Sequence, residues 1–146
     1  MQGAAAVEDG VVIRFADTWD EDEIVQLYRA GGWWKEEYDP RTIPDLFRGS
    51  FTVAIAVDQT TGHAIGMGRV LSDGISDGYI QDLVVHPAFR KKGIGTMIVT
   101  ALVQRCKKAG ISWICAVAEP GTESFYRPLG FNVMQGHVPL LWKSDL

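Results

Sequence analysis

Residues 51–86 constrain the fold most. Three apolar, β-rich segments, FTVAIAVD (51–58), HAIGMGRVLSD (63–73) and GYIQDLVVH (78–86), follow one another with four-residue joins. Connections that short link antiparallel neighbours, so the stretch predicts a three-stranded meander. The rest of the fold must be built around that sheet.

Upstream, VVIRF (11–15) reads as a further strand. In DTWDEDEIVQLYRAGG, acids crowd the start, Ile24, Leu27 and Tyr28 recur at helical spacing, and Gly31-Gly32 stop the run. This predicts a helix with its N-terminus favoured by negative charge. WWKEEYDP is a loop, and DPRTIPDLFRGS a short helix with Pro44 near its beginning. From Gly93 to Lys108, the residues Ile94, Met97, Ile98, Ala101, Leu102 and Cys106 mark one helical face, which Gly110 closes. ISWICAVA (111–118) reads as a buried strand and GTESFYRPLG as a short helix ending at Gly130. FNVMQ and VPLLW read as two last strands. The order β-α-α-β-β-β-α-β-α-β-β predicts an α/β fold with a mixed, largely antiparallel central sheet and helices on both faces.

An apolar fraction of 47% over 146 residues supports one domain, expected over residues 11–146. MQGAAAVEDG has small residues but neither a basic start nor a long apolar core. It reads as a flexible N-terminal tail, residues 1–10, rather than a secretory signal. No apolar run approaches the ~20 residues of a membrane span. Cys106 and Cys115 are expected as two buried thiols of a cytoplasmic protein. His63, His86 and His137 are scattered, so no metal site is expected.

Charge is placed unevenly. The chain carries −4 overall, with eleven acids against five bases in residues 1–50. Between Leu83 and Ala118 stand six bases and no acid. The basic patch is small, and no aromatic residues are interleaved with it as stacking platforms, so nucleic acid is not the expected partner. A small polyanion fits better. RKKGIGT places Arg90, Lys91 and Lys92 before two glycines at the start of a helix. Free N–H groups, the helix dipole and a backbone without Cβ atoms bind phosphate. The dinucleotide pattern G-x-G-x-x-G fails at Ile98, and the pattern G-x-x-x-x-G-K-[ST] has no match.

DLVVHPAFRKKGIGTMIV, followed one strand later by FYRPLGF, resembles the GNAT acetyltransferase family. The family's [Q/R]-x-x-G-x-[G/A] signature corresponds to Arg90-Lys91-Lys92-Gly93-Ile94-Gly95, after Val85-His86-Pro87, and its F-Y-x-x-x-G-F element to Phe125–Phe131. The resemblance implies acetyl-CoA as co-substrate, its pyrophosphate on the amides of Lys91 to Thr96 and its pantetheine arm along Leu83, Val84 and Val85. A backbone N–H near Val84 would polarise the thioester carbonyl. It implies direct attack by an amine, with Tyr126 as the acid for the departing thiolate.

The base is less constrained. On an ideal strand Asp82 shares a side with Ile80 and Val84, a poor place for a carboxylate. It either faces the substrate cavity, taking the amine's proton directly or through water, or pairs with a cation such as Arg69; the cavity role is the expectation. Many relatives have Asn, contacting the pantetheine, where Glu119 stands, which makes Glu119 a second candidate base. His86 is read as structural. The acceptor side is acidic and aromatic, with Trp33, Trp34 and Tyr38. Among relatives the sequence looks most like small aralkylamine (serotonin-type) N-acetyltransferases, so a small-molecule primary amine is expected. VPLLWKSDL is an apolar edge that would suit a homodimer.

Overall fold

The computed structural model describes residues 4–143. They form two compact units that join in sequence at Ala116 and Val117.

The first unit opens with a hairpin of β1 (Ala4–Glu8) and β2 (Val11–Phe15). Asp9 and Gly10 both take positive φ, 49° and 77°, between the paired residues Glu8 and Val11. Two such residues make the turn whose twist suits antiparallel strands. Residues 4–8 of the expected tail are therefore an edge strand; residues 1–3 lie outside the described chain. Helix α1 (Glu21–Ala30) follows, then a 3-10 turn (Pro40–Thr42) and α2 (Ile43–Arg48). The meander is β3 (Thr52–Asp58), β4 (Ala64–Ser72) and β5 (Asp77–Val85). A 3-10 turn (Pro87–Phe89) leads to α3 (Ile94–Lys108) and β6 (Trp113–Ala116).

The six strands lie in sequence order. Every neighbouring pair is antiparallel except β5 and β6, which are parallel because α3 crosses over between them. One face of the sheet, with Val53, Ile55, Met67 and Val84, packs on Ile24, Leu27 and Tyr28 of α1 and Phe47 of α2. Ile98 and Leu102 of α3 lie over the other face. A Cβ at Gly66 would sit 3.1 Å from Ile98 Cδ1, and one at Gly68 3.0 Å from Ile98 Cγ2 and 3.1 Å from Leu102 Cδ1. Those glycines let α3 lie close on the sheet.

Helix α1 is tied at its start. Asp20 caps it by accepting from the Glu23 N–H, a bond worth about 1 kcal/mol. The Glu23 carboxylate accepts from the Trp19 indole at 3.0 Å and from the Ala64 N–H at 2.6 Å, and lies 3.2 Å from His63 Nδ1. Burial alone would raise this carboxyl's pKa; the bonds from Ala64, Trp19 and His63 outweigh it, and the net shift is downward from 4.5. A depressed folded pKa stabilises above the unfolded value and is lost as pH falls through the folded one. Glu23→Ala is therefore expected to cost about 1–3 kcal/mol at pH 7. The difference should narrow below the ordinary glutamate pKa, as urea melts at neutral and acid pH would show.

The second unit holds α4 (Glu123–Tyr126) and a 3-10 turn (Arg127–Leu129), ended by Gly130 at φ 96°. The Tyr126 ring packs edge-on against Phe125 and Phe131, at 4.9 Å and 5.5 Å between centroids. FNVMQ and VPLLW, expected as strands, are irregular. Pro139 has no N–H to give to a ladder, and Val138, Leu140 and Trp142 stay exposed. Residues 144–146, the end of the apolar edge, lie outside the described chain. Among the described residues no helix is long and apolar enough to cross a membrane.

Candidate active site

Strand β5 pairs with β6 only from Asp77 to Ile80. Beyond Ile80, no strand among the described residues takes that side of β5. The ladder to β4 slips at the same place: Arg69 faces Gln81 and Met67 faces Val84, so Gly68 opposes both Asp82 and Leu83. This is a β-bulge, and Asp82 sits in it with φ 57°. Aspartate is among the few residues that tolerate this backbone region.

The bulge changes the face and the direction of the strand residues after it. Leu83 comes near the Gly68 position on the α3 side, while Val84 joins the core beneath α1 and α2. Asp82 bonds to Tyr28 of α1, so it shares Val84's side, but Ile80 does not. In the alternating ladder, the His86 N–H donates to the Ile65 carbonyl at 2.7 Å. By that alternation the amide and carbonyl of Val84 point to β4, and those of Leu83 and Val85 point to the open side. The N–H of Val84 itself is therefore turned into the ladder. The Val85 carbonyl is already taken, by Arg90 Nε at 2.9 Å.

Arg90 lies exposed at the start of the turn. Its guanidinium bonds Val85 O and, at 3.4 Å, the Ala30 carbonyl at the end of α1. These two bonds brace the turn against α1. Lys91 and Lys92 are exposed, with Lys91 at φ 64° and the Lys92 ammonium 5.5 Å over the Phe89 ring. Gly93 precedes α3 at φ 79°, with nothing within 4 Å of the Cβ that it lacks. No side chain caps the helix and no acid stands in its first turn. The N–H groups of Ile94, Gly95 and Thr96 thus keep the free valence that a phosphate takes. The Ile94 side chain is buried beneath them and anchors the turn. His86 caps the preceding 3-10 turn by accepting from the Ala88 N–H at 3.1 Å, a structural role.

Asp82 is held by two side chains from different elements. Its Oδ2 accepts from Arg69 Nε at 2.6 Å and from the Tyr28 hydroxyl at 2.7 Å. Arg69 and Asp82 are 15% and 19% exposed, a largely buried pair. Arg69 also reaches Gln81 Oε1 and Ser50 Oγ. Burial, reinforced by the Asp82 charge and hydrogen bond, raises the Tyr28 phenol far above its ordinary pKa, although Arg69 opposes this. Tyr28 is therefore a proton-holding donor. The pairing with Arg69, one of the two sequence alternatives, is realised. Helical spacing alone gives Tyr28 no functional role. A signal is nevertheless present: a tyrosine on the buried face of α1 must satisfy its hydroxyl.

The loop after α1 carries less free negative charge than its sequence suggests. Glu36 is paired with Arg29 and Asp39 with Arg41. Trp33 packs edge-on against Tyr28 at 5.9 Å, and Trp34 against Tyr38 at 5.5 Å.

In the second unit, burial first and the Glu119 charge second raise the Tyr126 phenol above its ordinary pKa of 10. The Glu119 carbonyl accepts from both the N–H and the hydroxyl of Thr122. Both cysteines are free thiols, Cys106 buried and Cys115 partly so. Among the described residues no group of three or more His, Cys, Asp or Glu is placed to hold a metal.

The first unit is thus an α/β sheet in which a bulged strand with an open edge leads through a glycine turn to an uncapped helix. The acetyltransferase (GNAT) family model matches residues 16–131, and the chain belongs to that family. It is 32% identical over 109 residues to an uncharacterized N-acetyltransferase, ycf52, of Porphyra purpurea, covering 75% of this chain and 63% of that protein. It is 32% identical over 76 residues to serotonin N-acetyltransferase 2, chloroplastic, of Oryza sativa subsp. japonica, covering 52% of this chain and 38% of that one. The GNAT family protein SP0256 of Streptococcus pneumoniae superposes with a TM-score of 0.77 at 21% identity, over 93% of this chain and 99% of that chain. The chain thus spans under two thirds of the length of these two sequence relatives, and the last likeness is one of fold.

Proposed function

We propose that the protein is an acetyl-CoA-dependent N-acetyltransferase that acts on a small primary amine, with an aralkylamine as the acceptor within that class. The observation that carries this reading is the course of residues 80–96. An unpaired strand edge with outward amides at Leu83 and Val85 runs, through Lys91, Lys92 and Gly93, into a helix N-terminus with no cap of its own. These residues fit a long ligand with a phosphate-bearing end. The amides of Leu83 and Val85 would hold its extended arm as an added strand, and those of Ile94 to Thr96 its pyrophosphate.

Acetyl-CoA supplies the activated acetyl group. The chain's own task is then to handle protons. An alkylammonium, with a pKa of about 10, arrives charged at neutral pH. Asp82 has one oxygen with which to accept that proton, directly or through water. Tyr126 keeps its proton at neutral pH and is the acid for the departing thiolate. Glu119, exposed and upstream of Tyr126, acts instead by raising that phenol. The aromatic loop of Trp33, Trp34 and Tyr38 and the serotonin-acetylating relative favour an aromatic acceptor.

The test is thiol release from acetyl-CoA across a panel of amines: arylalkylamines, polyamines, amino acids, aminoglycosides and peptide N-termini. The expected result is turnover of small primary amines, with phenethylamine or tryptamine among the best by kcat/KM. Tight acetyl-CoA binding with no turnover on any amine would replace the enzyme by an acyl-CoA-binding module.

A further inference from the structure

We propose that Tyr28 and Arg69 are positioning residues for acetyl transfer: by both donating to Oδ2 of Asp82, they leave Oδ1 as that carboxylate's one open acceptor. The inference rests on the role given to Asp82 above and concerns how the residue is made fit for it.

A bulge residue in the left-handed region stores backbone strain of about 1 kcal/mol or more, and persists only where its surroundings hold it. Two short bonds hold Asp82, and they come from different elements, α1 and β4. Each donor is itself fixed. Arg69 is tied to Gln81 and Ser50. Tyr28 is 8% exposed, with the Trp33 ring against its own. The groups that face Asp82 from these elements are one guanidinium and one phenol, so its rotamer is set by two converging donors.

The second oxygen has a different environment. Among the described residues Oδ1 accepts no hydrogen bond, yet no half-buried or buried side-chain oxygen is both partnerless and sealed from solvent. Oδ1 therefore meets solvent. A carboxylate with one oxygen locked and the other open accepts from one direction. The ammonium's proton passes from nitrogen to Oδ1, directly or through one water, which frees the lone pair for attack. As the new C–N bond forms the thioester C–S bond breaks, and the nitrogen gives up its second proton as the departing thiolate takes one up. No oxidation or reduction is involved. Trp33 against Tyr28 also ties this arrangement to the aromatic loop, so acceptor fit and carboxylate aim share one ring contact.

The roles separate in a double-mutant cycle. Wild type, Tyr28→Phe, Asp82→Asn, the double variant and Arg69→Lys are assayed with acetyl-CoA and tryptamine, and each is checked by thermal melting. Asparagine tolerates the left-handed backbone, so Asp82→Asn retains the bulge. Asp82→Asn should lower kcat by about 10²-fold. Tyr28→Phe should lower it about 10-fold, with KM for acetyl-CoA unchanged. In the double variant, kcat should match that of Asp82→Asn alone to within about twofold, because Tyr28 acts only through the carboxylate. Arg69→Lys keeps the charge and loses the fixed fork, and should fall between wild type and Tyr28→Phe. If Tyr28→Phe costs as much in the Asp82→Asn background as in wild type, or raises KM for acetyl-CoA in step with the fall in kcat, the positioning role is overturned. Wild-type kcat in Asp82→Asn would instead overturn the role of Asp82 itself, and this inference with it.

Discussion

Tyr126→Phe is expected to lower kcat by about 10²-fold or more while leaving acetyl-CoA affinity and the melting temperature close to wild type. The substitution removes one oxygen and nothing else. The ring contacts with Phe125 and Phe131 are made by carbon and persist. Among the described residues the Tyr126 hydroxyl has no hydrogen-bond partner and is not sealed from solvent, so its loss leaves no buried group unpaired. What it does remove is an acid. Burial and the Glu119 charge raise the phenol above its ordinary pKa of 10, so it stays protonated across neutral pH. The sign matters: a raised pKa moves any alkaline loss of activity due to this group above that of an ordinary tyrosine. In wild type this group should therefore cause little loss of activity up to pH 10, while the phenylalanine variant should lose most of the rate throughout that range. Rapid-quench turnover with acetyl-CoA and the best amine of the panel, measured from pH 6 to 10, reads both effects. A variant with unchanged kcat would mean that solvent protonates the thiolate, and would end the assignment.

Much of the fold is legible in the sequence because periodicity and burial agree. VVIRF is β2 to the residue, and the three meander strands and α3 fall within two residues of their expected bounds. The failures have physical causes. Strand β1 reads as tail because AAAVE has no alternation. Its signal is the Asp9-Gly10 pair just before an apolar run, a turn dipeptide rather than a strand pattern. FNVMQ and VPLLW have strand composition, but a strand is made by its neighbour, and composition does not reveal whether one is paired. At Asp82 the period-two rule fails because a bulge inserts one residue and resets the faces. Nothing in IQDLVV marks that slip, yet it decides that Asp82 looks at Tyr28 and Arg69. Arg90 shows the limit of a motif. The spacing places the glycine turn correctly, but the guanidinium is claimed by two backbone carbonyls, one of them distant in sequence.

Ile98 is the residue of α3 that lies over both glycines of β4, and Ile98→Ala is expected to cost about 2–5 kcal/mol, lowering Tm by roughly 5–15 °C. Ile98 is fully buried in the middle of α3's inner face. Its Cδ1 lies over Gly66 and its Cγ2 over Gly68. Because glycine has no side chain to swing into the space, little on the sheet beneath can fill the cavity, which favours the upper part of the range. The same geometry predicts a coupling. Gly68→Ala alone puts a Cβ 3.0 Å from Ile98 Cγ2, an overpacked contact costing about 1–3 kcal/mol. In Ile98→Ala that atom is gone, and the new methyl occupies the vacated volume. The tight contact that remains, with Leu102 Cδ1 at 3.1 Å, is to the end of a flexible side chain, and Leu83 Cδ1 at 3.5 Å is at ordinary packing distance. The double variant should therefore be more stable than the sum of the single losses by about 1 kcal/mol or more, as urea denaturation of the four proteins would show. Strict additivity would mean that α3 is held elsewhere and that Gly66 and Gly68 are not what sets its distance from the sheet.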